Sequence, residues 1–350
     1  MINKLIGGVT AIAALGMVTA TTSVSAADIS SEYKGRTVTI LVGYGSGGTY
    51  GRTSLLLGEH MDEVIPGKPN MVVQHMPGAG GIKAANFFYN VAPKNGRTLL
   101  MPPEMSIVSE LLRPKKVKYR CKQMTWLGRV FGQNSTIAVR RDSGVTSMAD
   151  LKNKKITMAS SGKGSPTFLI PATLNALLGT KMKIIKGYKG SRRMQLAMEQ
   201  GEVHGIALGW TAWISAKPHW FKGMKKGTNN YAIPLVQSGY VKQKGIEHVP
   251  LIREFLPNKE DRQVAMMLGS ASVLGRGLVL PPGAPKKLVK PLRAAFAKIT
   301  KNKRFIKDAY KRGLEVNPLT GKEIQKIVND LMDTPKATVK RARGLIFGKK

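Results

Sequence analysis

Two glycine-rich segments, each lying between a predicted strand and a predicted helix, constrain this chain most strongly. The strand Thr37–Val42 runs into the segment 43–48, and the strand Met71–His75 is followed by the segment 77–81. Glycine lets a ligand approach the backbone closely, and a helix that begins at such a loop offers free N–H groups and a partial positive charge. Two consecutive strand–loop–helix units end on the same edge of a parallel sheet. The pair therefore predicts two backbone cradles that face one small anion.

The candidate ligand-binding residues belong to these two loops and to two later turns. Ser46 and Thr49 add hydroxyl donors to the first loop. The strand that precedes Ser160 is followed by a small polar segment and by a helix that Ser165 is placed to cap. A further turn carries Tyr188. We expect ligand contacts from Tyr44, Ser46, Gly47, Gly48, Thr49, Gly78, Ala79, Gly80, Gly81, Ser160, Ser165, Thr167 and Tyr188. The alternative is that these are ordinary tight turns, capped helices and core aromatics.

The N-terminus has the pattern of an export signal. Lys4 supplies a positive charge, Leu5–Val18 is apolar but too short to span a bilayer, and small residues surround a cleavage point near Ala26 or Ala27. We therefore expect residues 1–26 to be removed and the mature protein to lie outside the cytoplasm. No later apolar run approaches the roughly 18 residues that a membrane helix needs.

The single cysteine limits the chemistry further. Cys121 is the only cysteine, which excludes an internal disulfide and any metal site built from several cysteines. Its distance from the end of the signal excludes an acylated cysteine at the mature N-terminus. Stability is therefore expected to come from packing.

The charge balance is strongly basic. The chain has 56 Lys and Arg against 20 Asp and Glu, a net charge of +36, and removal of Lys4 with the signal leaves 55 − 20 = +35. Such a field attracts small anions, anionic lipids and polyanions alike. Aromatic residues make up only 6% of the chain and do not interleave with a basic stripe, so we expect no nucleic-acid binding. A secreted polyanion-binding or nucleic-acid-binding protein remains an alternative.

No recognised catalytic or cofactor motif is complete. The segment 43–48 has the glycine spacing of a dinucleotide fingerprint, but the next strand ends at His75 without the acidic residue that would hold a ribose. Arg52 stands where a P-loop needs lysine, and Tyr44 replaces the leading glycine of a nucleophile elbow around Ser46. The histidines lack metal spacing. We expect no enzyme activity, no cofactor and no metal; a secreted serine hydrolase is the second alternative.

The order of elements predicts an α/β protein in two lobes. Residues 27–130 with 251–350 are expected to form lobe 1, and residues 131–250 an inserted lobe 2, with a hinge and a ligand cleft between them. The predicted strands are Thr37–Val42, Met71–His75, Thr98–Met101, Trp126–Phe131, Thr136–Arg140, Lys155–Met158, Lys183–Tyr188, Val203–Leu208 and Ala232–Gln237.

A series of motifs along nearly the whole mature chain resembles one known family. These are the first glycine loop after Ile40-Leu41-Val42, the segment 65–69 (IPGKP), the segment 72–81 (VVQHMPGAGG), the segment 91–96 (VAPKNG), the segment 187–191 (GYKGS), the segment 196–203 (LAMEQGEV) and the segment 280–285 (LPPGAP). Their order and spacing are similar to those of the Bug family, the periplasmic receptors of tripartite tricarboxylate transporters.

The resemblance implies a two-lobed periplasmic-binding-protein fold, type II-like, that closes on a carboxylate. It implies that the loop segments 46–49 and 78–81 hold one carboxylate through main-chain groups and water. It also implies a periplasmic monomer whose partners are a small organic carboxylate and the membrane subunits of a tripartite carrier. Gly51, His75 and Asn95 depart from the family pattern, which often has an acidic residue, an asparagine and an aspartate at these places, so this chain carries less negative charge near the entry loop.

Overall fold

A computed structural model describes residues 26–223 and 231–348 of the chain. Residues 1–25, which hold nearly all of the predicted signal segment, lie outside the described residues. The description begins with helix α1, Ala26–Tyr33. Within the described ranges, no helix combines the length and the apolar character that crossing a bilayer requires.

The first lobe is built on a six-stranded sheet in the order β11-β4-β10-β3-β1-β2. Strand β1 pairs in parallel with both β2 and β3, whereas β10 runs antiparallel to β3 and β4. The strands are β1 (Thr37–Val42), β2 (Asn70–His75), β3 (Thr98–Met101), β4 (Thr125–Phe131), β10 (Arg276–Leu280) and β11 (Leu319–Thr320). The predicted parallel arrangement of the first two strand–loop–helix units is confirmed.

The second lobe is built on a five-stranded sheet in the order β7-β6-β8-β5-β9. Strand β6 pairs in parallel with β7 and β8, and β5 runs antiparallel to β8 and β9. The strands are β5 (Ser135–Arg140), β6 (Ile156–Ser160), β7 (Met182–Lys186), β8 (Gly205–Gly209) and β9 (Ala232–Ser238). Two sheets in one chain give the mixed α/β, two-lobed architecture that the sequence predicted.

Both sheets are covered on both faces, because alternate residues of a strand point to opposite sides. In β1, Val38 and Ile40 pack into one hydrophobic cluster of the first lobe, and Leu41 packs into the cluster on the other face. The helices that cover the sheets are α2 (Thr49–Met61), α3 (Ile82–Asn90), α4 (Ser106–Leu112), α5 (Asp150–Asn153), α6 (Pro166–Leu178), α7 (Ser191–Glu199), α8 (Trp210–Ala216), α9 (Lys259–Gly269), α10 (Ala271–Leu274), α11 (Lys286–Thr300), α12 (Lys303–Lys311), α13 (Gly321–Met332) and α14 (Lys336–Phe347).

The packing departs from the predicted lobe boundaries in one respect. Val264 of α9 and Ala342 of α14 lie in the hydrophobic cluster of the second sheet, together with Leu169 of α6. The prediction assigned all of 251–350 to lobe 1. Since the apolar face of a helix does not specify which sheet it covers, the destination of these two helices depends on tertiary packing.

Candidate anion-binding site

The first glycine loop leads into a helix whose start has no side-chain cap. Helix α2 begins at Thr49, and its N-cap is Gly48, which has no side chain to accept from the first turn. The first N–H groups of a helix have no partner within the helix. Thr49 and Tyr50 are buried in this first turn, so its positive end lies inside the protein, where an anion would be attracted most strongly.

The second loop is held in a left-handed backbone conformation. Ala79, Gly80 and Gly81 have φ values of +50°, +72° and +91°, and helix α3 starts directly after them. Glycine adopts such angles without strain, whereas Ala79 is an uncommon exception. A Cβ built on Gly80 would lie 2.6 Å from the backbone nitrogen of Ser165 in the second lobe. The loop therefore needs glycine for its conformation and for contact with the other lobe.

Tyr44 joins the two loops. Its hydroxyl donates to the carbonyl of Gly80 at 2.9 Å, and its own carbonyl accepts from Nδ1 of His75 at 2.8 Å. Burial raises the pKa of Tyr44 well above its ordinary value, so the hydroxyl keeps the proton that it donates. The two loops thus face each other across one side chain, as the sequence predicted.

The lobes contact each other backbone to backbone through these same loops. The amide of Gly45 donates to the carbonyl of Lys189 at 2.7 Å, and the amide of Gly80 donates to the carbonyl of Ser161 at 3.1 Å. In this arrangement the Gly80 amide is occupied by the second lobe, so the predicted ligand contact of Gly80 would have to use another of its atoms. Closure uses that donor to join the lobes.

A first cavity of about 40 Å³ lies at this junction, where three helix starts converge. Gly48 and Thr49 line it from α2, Ser191 lines it from α7, and Ser165 and Thr167 line it from α6. The α7 start is also uncapped, with Gly190 as its N-cap. A Cβ on Gly48 would lie 2.7 Å from Oγ of Ser191, so the positive ends of α2 and α7 adjoin each other across the cleft.

The hydroxyl groups of the third loop mostly bond to one another. Oγ1 of Thr167 lies 2.5 Å from Oγ of Ser165 and 3.2 Å from Oγ of Ser160. Ser165 and Thr167, for which ligand contacts are predicted, line the first cavity. Ser160 is fully buried behind them, and its hydroxyl accepts from the amide of Gly162. The predicted ligand contact of Ser160 is therefore not supported, because its hydroxyl holds the loop.

A second cavity of about 190 Å³ lies beside the first and shares Tyr44 and Ser161 with it. It is lined by Gly78, Ala79 and Gly80 of the second loop and by Tyr188 and Lys189 of the second lobe. Tyr188 donates to the carboxylate of Glu202 at 3.4 Å. Gly78, Ala79, Gly80 and Tyr188 thus surround one cavity. This second cavity is separate from the first cavity, which lies at the start of α2.

Three other predicted residues lie outside both cavities. Ser46 and Gly47 are exposed, and a Cβ on Gly47 would lie 2.5 Å from the side chain of Arg192. Gly81 is buried, and a Cβ there would lie 2.5 Å from the ring of Pro103. Gly47 and Gly81 therefore permit close packing of neighbouring segments, and their predicted ligand contacts find no support in the lining of either cavity.

A buried ion pair at the first cavity was not predicted. Nη1 of Arg276 lies 2.7 Å from Oε2 of Glu104, and both side chains line the cavity while remaining 3% and 5% exposed. Burial opposes the charged form of Arg276, but the charge of Glu104 and the neighbouring tyrosines raise its pKa above the ordinary value. A basic residue at the head of the apolar run Leu278–Leu280 is the sequence signal that could have indicated it.

The arrangement can bind an anion without a metal. Among residues 26–223 and 231–348, no group of three or more His, Cys, Asp or Glu side chains could hold a metal ion. The positive helix ends, the hydroxyl groups and Arg276 instead supply donors to a negatively charged solute. Met194, Leu208 and Ala212 add an apolar side to the same cavity.

The chain is similar in sequence to a curated protein and matches no family model. A UPF0065 protein in the gbd 5′ region of Cupriavidus necator is 24% identical over 273 residues, which cover 75% of this chain and 74% of that protein.

Several solved structures resemble the chain over most of its length. The periplasmic binding protein BugD has a TM-score of 0.68 at 19% identity and covers 89% of this chain and 99% of its own. Rpa4515 of R. palustris with adipate has a TM-score of 0.67 at 19% identity, covering 88% and 97%. MatC from Rhodopseudomonas palustris with bound malate has a TM-score of 0.64 at 18% identity, covering 89% and 99%. The chain therefore has the two-lobed fold of the periplasmic binding proteins, and its resemblance to the Bug-family receptors is confirmed.

Proposed function

We propose that this protein is a periplasmic receptor that captures a small organic anion, most simply a carboxylate, between its two lobes. The observation that carries the proposal is the meeting of the uncapped starts of α2 and α7 at a cavity between the lobes. Two positive helix ends in contact repel each other, and an anion placed between them would be stabilised by both.

The similar structures support a carboxylate as the anion. Rpa4515 is described with adipate and MatC with malate, and both share the fold of this chain. We extend the same ligand class to this protein because its cavity offers backbone and hydroxyl donors together with an arginine. The apolar side of the cavity suits the carbon chain of such an acid.

The proposal includes the receptor's place in transport. A receptor of this fold hands its solute to membrane subunits, and here these would be the subunits of a tripartite tricarboxylate-type carrier. We propose that the exported, processed chain acts as a monomer, without cofactor or catalytic step. The backbone hydrogen bonds between the lobes favour closure as the event that the membrane subunits recognise.

Thermal unfolding against a panel of acids tests the proposal. The mature protein, from residue 27, is heated alone and with malate, adipate, citrate, benzoate or glutamate. An acid present at about 100 times its dissociation constant adds about 2.7 kcal/mol to the free energy of unfolding, which raises the midpoint by several degrees. No rise with any of these acids would contradict the proposal.

The same experiment separates the two alternatives. A polyanion-binding protein would be stabilised by heparin or DNA, and this stabilisation would disappear as salt rises because counterion release drives it. A hydrolase would release product from p-nitrophenyl esters. The receptor is expected to respond to a small acid at 0.15 M salt or above and to turn over no ester.

A further inference from the structure

The buried pair of Glu104 and Arg276 lies where two neighbouring strands meet the cleft. Strand β3 ends at Met101, shortly before Glu104, and β10 begins at Arg276. Because β10 runs antiparallel to β3, the end of one strand and the start of the other lie on the same edge of the sheet. This edge faces the second lobe and the first cavity.

The guanidinium of Arg276 is held rigidly but is not saturated. It lies 3.7 Å from the ring centroid of Tyr50, and its Nη1 is paired with Glu104. Its Nε is buried and has no hydrogen-bond partner within the described part of the chain. A guanidinium has five N–H donors, and a buried donor without a partner is costly. A ligand that supplies an acceptor would remove this cost.

Stability alone does not account for the pair. Two buried charges lose their hydration, and replacing such a pair with apolar residues is often neutral or stabilising. Here the pair also lines the cavity at which the α2 and α7 helix starts meet. The planar fork of arginine matches a carboxylate better than any other side chain does.

We propose that Arg276 is a ligand-binding residue that hydrogen-bonds a carboxylate oxygen of the solute in the first cavity, and that Glu104 is the positioning residue that orients it. This inference rests on the proposed function, of which it names a side-chain determinant. The carboxylate then meets a guanidinium N–H donor in addition to the helix ends, and the Tyr50 ring keeps the guanidinium plane in place.

The proposal predicts opposite effects for the two members of the pair. Glu104→Gln removes a negative charge from the cavity but keeps an amide oxygen that can accept from Arg276, so the guanidinium stays oriented and affinity for the solute rises. Arg276→Lys keeps the charge but loses the fork, and affinity falls at least tenfold. The double variant Glu104→Gln/Arg276→Gln leaves no unpaired charge, and its affinity for the solute also falls at least tenfold. If the pair had a purely structural role, the two single substitutions would not change the affinity for the solute in opposite directions.

The experiment is isothermal titration with malate, adipate, citrate, benzoate and glutamate, using protein whose folding is checked by circular dichroism. The double variant Asp261→Asn/Arg341→Gln is the matched control, because that pair lies at 2.6 Å between α9 and α14, away from the cavities. It is expected to bind as the unaltered protein does. Equal affinity of the Glu104/Arg276 double variant and the unaltered protein would overturn the role of Arg276 while leaving the receptor function standing.

A measurement on the unaltered protein covers the case in which the variants do not fold. In ¹⁵N NMR spectra, the Nε–H signal of Arg276 is expected to shift and to become protected from exchange when the bound acid is added. An Nε–H signal that does not respond to an acid that binds would overturn the proposal. If the unaltered protein binds none of the five acids, the receptor function itself fails, and this inference fails with it.

Discussion

The amide nitrogen of Gly80 in the first lobe lies 3.1 Å from the carbonyl oxygen of Ser161 in the second lobe. A hydrogen bond between two backbones requires both chains to approach without side chains in between. Gly162 and Gly164 provide this on the second-lobe side, where a Cβ on Gly162 would lie 2.9 Å from the nitrogen of Gly80. The contact depends on glycines from both lobes, so it is a sensitive point at which to test closure.

A methyl group at Gly80 is expected to oppose closure. In Gly80→Ala, the added Cβ would lie 2.6 Å from the nitrogen of Ser165 and 2.7 Å from the carbonyl carbon of Gly164, neither of which can move as a flexible side-chain end would. We expect at least a tenfold loss of acid affinity, about 1.4 kcal/mol, by isothermal titration. With acid present, small-angle scattering should show a larger radius of gyration for Gly80→Ala than for the unaltered protein.

Gly179→Ala is the matched control for this substitution. Gly179 has φ +68° and ψ 24°, close to the φ +72° and ψ 31° of Gly80, but a Cβ there meets nothing within 4 Å. Both variants carry the same backbone strain, of about 1 kcal/mol. If both lose affinity equally, strain and not closure is the cause, and the role of the Gly80 contact is refuted.

The hydroxyl of Tyr44 is expected to contribute to stability and to binding together. Tyr44→Phe keeps the ring 4.3 Å from that of Tyr50 but removes the donor to the Gly80 carbonyl. We expect the free energy of unfolding to fall by about 1 kcal/mol in urea denaturation, together with a measurable loss of acid affinity. Tyr231→Phe removes a hydrogen bond to the Met198 carbonyl in the second lobe. It should lower the free energy of unfolding without changing acid affinity. Unchanged binding by Tyr44→Phe would contradict the joining role of Tyr44.

Arg52, on helix α2, makes a further contact between the lobes. Its Nη2 lies 2.5 Å from Oγ of Ser215 on α8, and its Nη1 lies 3.3 Å from the carbonyl of the same residue. Arg52→Gln is expected to weaken acid binding several-fold, since a shorter side chain cannot keep these bonds. Arg304→Gln removes an exposed ion pair with Glu63 inside the first lobe and should leave acid affinity unchanged. Equal binding by both variants would rule out a closing role for Arg52.

The carboxylate of Asp150 gives a pH dependence that is independent of the cleft. It accepts from the amides of Thr146 at 2.8 Å and Ser147 at 2.9 Å, and these hydrogen bonds lower its pKa to about 2. A lowered pKa in the folded state means that the stabilisation is fully present above the unfolded value of 3.8 and is lost as pH falls toward 2. Asp150→Asn should therefore unfold at a lower temperature than the unaltered protein at pH 7. The unfolding midpoints of the variant and of the unaltered protein should converge near pH 2. A difference that stays constant with pH would refute the stabilising role of the Asp150 carboxylate.

Local features of the sequence were sufficient to predict most of the strands and the loops that follow them. The strand Thr37–Val42 forms with the predicted bounds, and α3 starts directly after the second glycine loop, at Ile82. Both follow from side-chain pattern and from the backbone freedom of glycine, which act over a few residues. Strand β10 was not predicted, because Arg276 and Gly277 at its start interrupt the apolar pattern.

The candidate site was predictable only in part. The face-to-face arrangement of the two loops follows from parallel pairing of β1 and β2, which consecutive strand–loop–helix units favour. The division into two cavities was not predictable, since Tyr44 separates them by a hydrogen bond to a residue of the other loop. Whether Ser160 faces a ligand or its own loop depends on a hydroxyl network that no linear pattern encodes.

The sequence by itself determined the α/β alternation, the glycine loops at two helix starts and the family resemblance, because each depends on neighbours in the chain. Only the tertiary structure decided that Glu104 meets Arg276, 172 residues later, and that α14 covers the second sheet. It also decided that the Gly80 amide bonds to the opposite lobe. These contacts join distant segments through burial and shape, and local propensity carries no information about which distant surface a residue will meet.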